Sequence, residues 1–120
     1  KFIMFSAISG VTAAGRCTLG QVIKSTSLGK VFQKIISETT ATARAYGIDL
    51  SYSIEQDIWA LVNKLPPDVR ASTAVDLGKG LPLEVDWISG AVTRLAKAKG
   101  IEAPTNETIH GLLSPYKDGL

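Results

Sequence analysis

The chain carries 120 residues, 45% of them hydrophobic and 20% charged, with a formal net charge of +2. A chain of this length forms one domain that buries roughly two-thirds of its unfolded surface, and the composition is that of a folded protein, not a disordered one. The slight positive balance gives no support for a nucleic acid or an anionic membrane as partner, and no apolar run approaches the roughly 20 residues of a membrane span.

Lys1 to Ile8 has a cation followed by an apolar stretch, as a secretory leader does. The run is short, however, and passes into Gly and Ala at helical spacing with no clear processing site. Lys1 to about Ala14 is therefore expected to be a helix of small and apolar residues, weakened or ended by Gly10 and Gly15. A start inside such a pattern implies that something precedes it. Thr18 to Val22 suits a short turn of helix. Ser25 to Tyr46 is the clearest helix. Leu28, Val31, Phe32, Ile35, Ile36, Thr39, Ala43 and Tyr46 recur at three- and four-residue spacing. Lys30, Gln33, Lys34, Glu38 and Arg44 fall mostly on the other face, and Gly47 supplies a stop.

Ser53 opens the next helix, with Gln56 placed for a capping box. Ile54, Ile58, Leu61, Val62 and Leu65 form its apolar stripe, and Pro66 and Pro67 end it. Ala71 to Leu77 is expected to be a short helix, broken by Gly78 and Gly80. Pro82 sets up a long helix from Leu83 to Lys99, with Val85, Ile88, Val92, Leu95 and Ala96 as its buried stripe and Gly100 as its stop. Pro104 and Thr105 start a last helix through about Tyr116. No β-hairpin pattern, repeat or low-complexity tract is present. The expected fold is all-α, five or six helices around one core.

Several chemistries lack their residues. There is no GxGxxG, no Walker motif and no GxSxG elbow. Cys17 is the single cysteine and His110 the single histidine, so no internal disulfide and no multi-Cys/His zinc site can form, and no metal is expected. A reducing, cytoplasmic setting is the simpler assumption. His110 has no evident partner and is expected at the surface or edge of the last helix.

Among the carboxylates, Glu84 stands out. At about 100° per residue it lies beside Ala91 and Leu95, on the border of the buried stripe, while Asp86 points nearly the opposite way. A carboxylate there is partly desolvated and needs a partner or ligand. Equally, acids in a first turn are favoured by the helix dipole alone. Lys1, Phe5 and Ser9 share one helix face, on which Lys1 is either a cationic donor reaching into a cleft or a solvated lysine. Ser72 and Asp76 are also spaced by four, and Ser72 could simply cap its helix.

The stretch from Ser72 through Asp76, Gly78-Lys79-Gly80 and Pro82-Leu83-Glu84-Val85-Asp86 to Ser89-Gly90 resembles the signature of ketopantoate reductase (2-dehydropantoate 2-reductase) C-terminal domains. Arg94-Leu95 and Gly100-Ile101-Glu102-Ala103-Pro104-Thr105-Asn106 are similar to the family's downstream pattern, and Ala43 to Ile48 to its helix end upstream. The resemblance covers essentially the whole chain. It implies a helical substrate-binding and dimerisation domain over residues 1–120, with an NADPH-binding N-terminal Rossmann domain absent from this chain. The implied reaction is hydride transfer to the C2 ketone of 2-dehydropantoate. Lys1 falls on the family's catalytic lysine, the general acid for the developing alkoxide. Ser72 matches a serine that contacts the substrate carboxylate, with Asp76 four residues on in the same motif. Glu84 matches the glutamate that anchors substrate and helps orient the cofactor end of the site. Phe5 and Ser9 stand where the family has two asparagines facing the substrate hydroxyl; Ser9 can still donate one bond and Phe5 cannot, which points to a related, more apolar 2-keto acid as a possible substrate.

Two expectations differ in kind. As the substrate half of an NADPH-dependent 2-keto acid reductase, the chain would gather Lys1, Ser72 and Glu84 at one cleft, be inactive alone, and work as a homodimer with a small-molecule substrate. As a non-catalytic helical dimerisation or binding module, it would leave those residues scattered or solvated and use an exposed apolar patch for self-association.

Overall fold

In the computed structural model, which describes residues 1–120, the chain is all helical. In chain order the elements are α1 (Phe2–Ala14), α2 (Leu19–Lys24), α3 (Thr26–Ala45), α4 (Ile54–Val62), α5 (Ser72–Gly78), α6 (Ser89–Ala98) and α7 (Pro104–Leu113). Two 3-10 turns, Val85–Trp87 and Ser114–Tyr116, precede α6 and follow α7. The expected Thr18–Val22 turn is a full helix, which brings the number of α-helices to seven. No helix is long and apolar enough to cross a membrane.

The core is built around α1, which packs against α3, α5 and α7. Ser6 to Ala13 are all buried. A helix apolar on every side is stable only inside a protein, and small residues let its neighbours come close. Of the two glycines expected to weaken or end this helix, Gly15 is its C-cap and Gly10 does not interrupt it. It lies within it, where an added Cβ would stand 3.0 Å from Ile109 Cγ2 of α7. The glycine costs about 0.5–1 kcal/mol of helix propensity and permits the close crossing of α7.

Around α1 the helices bury single stripes. On α3, Phe32, Ile35, Ile36 and Thr39 are buried, and the Phe32 ring meets that of Trp59 on α4 at 5.8 Å between centroids. Glu38, expected on the outer face, turns instead toward α7. Its carboxylate accepts the Thr105 amide at 3.0 Å, the Asn106 amide at 2.9 Å and Asn106 Nδ2 at 3.0 Å. A side chain of α3 thus caps the N-terminus of α7, whose own N-cap, Ala103, has nothing to offer.

The capping box also lies elsewhere than expected. Ser53 makes no cap bond; its hydroxyl donates to Asp57 Oδ2 at 2.9 Å. The box belongs to α2, where the Thr18 amide donates to Gln21 Oε1 at 2.9 Å and the Gln21 amide to Thr18 Oγ1 at 3.3 Å. Leu61 and Leu95, placed in buried stripes by periodicity, are each 47% exposed, and Tyr46 is exposed as well. The Tyr46 hydroxyl donates to the Leu95 carbonyl at 2.9 Å. These residues lie where α4 and the α3–α6 pair run out of covering neighbours.

The largest departure is at the expected helix Leu83–Lys99. Residues 81–84 are not helical, Val85–Trp87 is a 3-10 turn, and Ile88 breaks the path with φ −113° and ψ −95°. The helix proper begins at Ser89. Val85 and Ile88 remain buried, so the core positions hold although the helical path does not.

Candidate functional site

Lys1 stands at the N-cap of α1, exposed, on the rim of an apolar groove of about 300 Å³ formed with Phe2, Tyr46, Ile48 and Leu95. Phe5, one turn along, is also exposed. Ser9, a further turn along, is 1% exposed, and its hydroxyl donates to Thr73 Oγ1 at 2.8 Å. The Ser9 proton is therefore committed to α5. The bond fixes α5 against α1, which helps place Ser72, the residue next to Thr73, at the surface.

Ser72 is the first residue of α5 and is exposed; the N-cap is Ala71 and makes no side-chain cap bond. The structure thus removes the capping role for Ser72. Asp76 lies one turn on, half-buried, and its carbonyl accepts the Leu81 amide at 2.9 Å, turning the chain back out of α5. Glu84 is exposed and precedes the 3-10 turn. The helical-wheel placement of Glu84 beside Ala91 and Leu95 is therefore overturned: no helix runs through it. The side chains of Lys1, Ser72, Asp76 and Glu84 make no hydrogen bond or ion pair within the chain. Of the candidates, the structure brings Ser9 directly against α5; Lys1 and Glu84 are not ion-paired to each other.

His110 lies at the edge of the last helix as expected, but it has a partner. It is half-buried, and its Nε2 lies 2.8 Å from Asp86 Oδ1; Lys117 Nζ lies 3.5 Å from Oδ2 of the same carboxylate. The hydrogen bond with His110 holds the Asp86 carboxyl below its ordinary value; burial opposes it, and the Lys117 charge adds to the lowering. Neither this pair nor the Ser9–Thr73 bond is visible in local patterning. Each joins residues far apart in the chain, separated by 24 and 64 positions.

Residues 1–120 contain no strand and no glycine-rich turn opening a helix of the dinucleotide-binding kind. Nothing in them fits an NADPH site of its own.

The family model described as ketopantoate reductase PanE/ApbA C terminal matches residues 1–117. The 2-dehydropantoate 2-reductase of Mycobacterium tuberculosis (strain H37Rv) is 31% identical over 87 residues, 72% of this chain and 30% of that protein. That of Archaeoglobus fulgidus is 26% identical over 120 residues, 100% of this chain and 40% of that protein. Among solved structures, a PanE/ApbA family ketopantoate reductase from Ralstonia eutropha JMP134 superposes with a TM-score of 0.87 at 27% identity, over 98% of this chain and 39% of that one. A dimeric ketopantoate reductase from Staphylococcus aureus has the same fold, with a TM-score of 0.90 at 24% identity, over 98% of this chain and 41% of that one. The chain therefore spans 30–40% of the length of these two reductases from Mycobacterium tuberculosis and Archaeoglobus fulgidus.

Proposed function

Since the chain belongs to the ketopantoate reductase C-terminal domain family, we propose that it is the substrate-binding part of an NADPH-dependent reductase of 2-dehydropantoate or a related 2-keto acid, acting with an N-terminal Rossmann domain. The observation that carries this reading is the match of the ketopantoate reductase C-terminal model over residues 1–117, and the polar side chains at the family positions are free to take a ligand. Lys1, Ser72 and Glu84 are exposed and unpartnered, whereas their neighbours Ser9 and Thr73 are buried and bonded to each other. A solvated acid, cation or hydroxyl is available to a ligand without first breaking an internal bond.

When bound by a Rossmann domain, NADPH would supply the reducing hydride, and the residues of this chain would bind the 2-keto acid and hold the proton. Lys1 holds the proton that the carbonyl oxygen takes up, and its positive charge stabilises that oxygen as electron density moves onto it. Ser72 donates its hydroxyl to the substrate carboxylate, with Asp76 shaping the turn behind it. Glu84 anchors the substrate from the loop side. Ser9 is spent on Thr73 and Phe5 is apolar, which supports a substrate whose tail does not depend on a hydroxyl donor from α1. The groove beside Lys1, with Phe2, Ile48 and Leu95 exposed, supports association with the Rossmann domain or with a second subunit. The single thiol, Cys17, is buried and unpaired, in keeping with a cytoplasmic setting.

The test is NADPH oxidation, followed optically, by the enzyme carrying this chain after its nucleotide-binding domain, with 2-dehydropantoate and with apolar 2-keto acids. Lys1→Ala is expected to lower kcat by about 10²–10⁴-fold, the usual worth of a positioned proton donor. Absence of turnover with every 2-keto acid would leave the chain a helical association module; a Lys1→Ala enzyme as fast as the parent would remove Lys1 as the proton donor and leave the reductase reading standing.

A further inference from the structure

Glu84 sits in a stretch with little regular structure of its own. Between α5 and α6 the only element is the 3-10 turn Val85–Trp87. The stretch is held from outside. The Leu120 amide donates to the Gly80 carbonyl at 3.0 Å, and the Leu83 amide donates to the Lys117 carbonyl at 2.8 Å. Its centre is held by a side chain of α7, since Asp86 Oδ1 lies 2.8 Å from His110 Nε2, while Lys117 Nζ approaches Oδ2 at 3.5 Å.

The His110 ring is itself fixed. It packs against Gly90 in the first turn of α6, where an added Cβ would lie 3.0 Å from both Cδ2 and Nε2 of the ring and 3.1 Å from the Val85 carbonyl oxygen. A Cβ at position 90 would require the ring or the Val85 carbonyl to give by a few tenths of an ångström. On the other flank, the Trp87 amide donates to the Glu84 carbonyl at 2.9 Å, so Glu84 and Asp86 belong to one tight turn. The Glu84 side chain has no bond of its own, and its location is inherited from that turn.

We propose that His110, acting through Asp86, is a positioning residue for Glu84, with Lys117 as the second tether. The inference rests on the reading of Glu84 as a substrate anchor. A helix-borne carboxylate would be placed by its own backbone ladder; this one is placed by a histidine 26 residues away in sequence. A hydrogen bond between a rigid helix and a short turn restricts the turn to one arrangement, and an anchor that wanders by an ångström loses binding.

Two measurements test it. In the chain itself, amide hydrogen exchange at Leu83 and Trp87 reports on the turn. His110→Phe keeps a ring against Gly90 and removes the bond to Asp86. It is expected to speed exchange at both amides by at least about tenfold while that of Phe32 in the core is unchanged, whereas His110→Gln, which retains a donor, restores protection. In the enzyme with its nucleotide-binding domain, Glu84→Gln and His110→Phe are each expected to raise KM for the 2-keto acid by about tenfold with a smaller change in kcat. The double variant is expected to be no worse than Glu84→Gln alone, because both changes remove one function.

If Glu84→Gln alters KM but His110→Phe does not, or if the two effects multiply, the positioning role of His110 is overturned and Glu84 stands. If Glu84→Gln leaves the kinetics unaltered, the anchor reading of Glu84 falls and takes this inference with it. Unchanged exchange at Leu83 and Trp87 in His110→Phe overturns the inference without reference to activity.

Discussion

The side chains that organise this domain are polar ones whose partners are distant in sequence. Ser9 and Thr73 are both buried and satisfy each other at 2.8 Å; either one left alone would be a buried hydroxyl without a partner, a loss of about 1–3 kcal/mol. Asp86 carries the clearest pH dependence. Its carboxyl is depressed from an ordinary 3.8, first by the hydrogen bond with His110 and then by the Lys117 charge. A depressed acid stabilises the fold wherever it is ionised, so the contribution is fully present above the ordinary value and is lost as pH falls through the depressed one. The Asp86 carboxyl is expected to titrate below 3.8 when followed by carbon-detected NMR. Asp86→Asn is expected to flatten the acid limb of stability against pH. A midpoint at or above the ordinary value would contradict the geometry. Cys17 has the opposite bias: burial raises its thiol despite the nearby Arg70, which makes it a poor nucleophile in the folded chain.

Among the elements, α1 and α3 account for the arrangement of the rest. Helix α1 was legible as a helix because small and apolar residues fill it, but the same uniformity concealed its central position. Helix α3 shows the reverse: its stripe is plain in sequence, while Glu38, which the stripe assigns to solvent, caps α7 from the side. That carboxylate takes three hydrogen bonds from the first turn of α7. Glu38→Ala is expected to destabilise the chain by about 2–3 kcal/mol, since bonds to a charged acceptor are worth about 1.5–3 kcal/mol and the exposed N-terminus loses its compensating charge. Urea unfolding gives the magnitude, and amide exchange at Thr105 and Asn106 gives the location. A loss below about 0.5 kcal/mol would mean that water caps α7 equally well.

At the scale of the whole chain, the radius of gyration is 13.6 Å, matching the roughly 13–14 Å expected of an independently folded domain of this length. The 17-residue apolar cluster runs without interruption from α1 through α5 to α7. The isolated chain is therefore expected to unfold in one cooperative step in urea, with fluorescence of Trp59 and Trp87 and far-ultraviolet circular dichroism giving coincident curves. Separate transitions would show that the unit depends on a second domain for its core.

The helical class, the ends of α1, α2, α3 and α5 to within two residues, and the resemblance of the Ser72–Gly90 stretch were all legible in the sequence, because periodicity, proline and glycine act over a few residues. Periodicity placed Phe32, Ile35 and Val92 in the core for the same reason. Helix packing, and nothing local, puts Glu84 outside a helix, gives His110 a partner, commits Ser9 to Thr73 and turns Glu38 onto α7. Each depends on which helices cross, and crossings are set by the whole core: Gly10 admitting α7 to α1, and Gly90 admitting the His110 ring to Asp86. Local spacing reports which face of a helix a residue shares, and has no access to what the next helix brings against it.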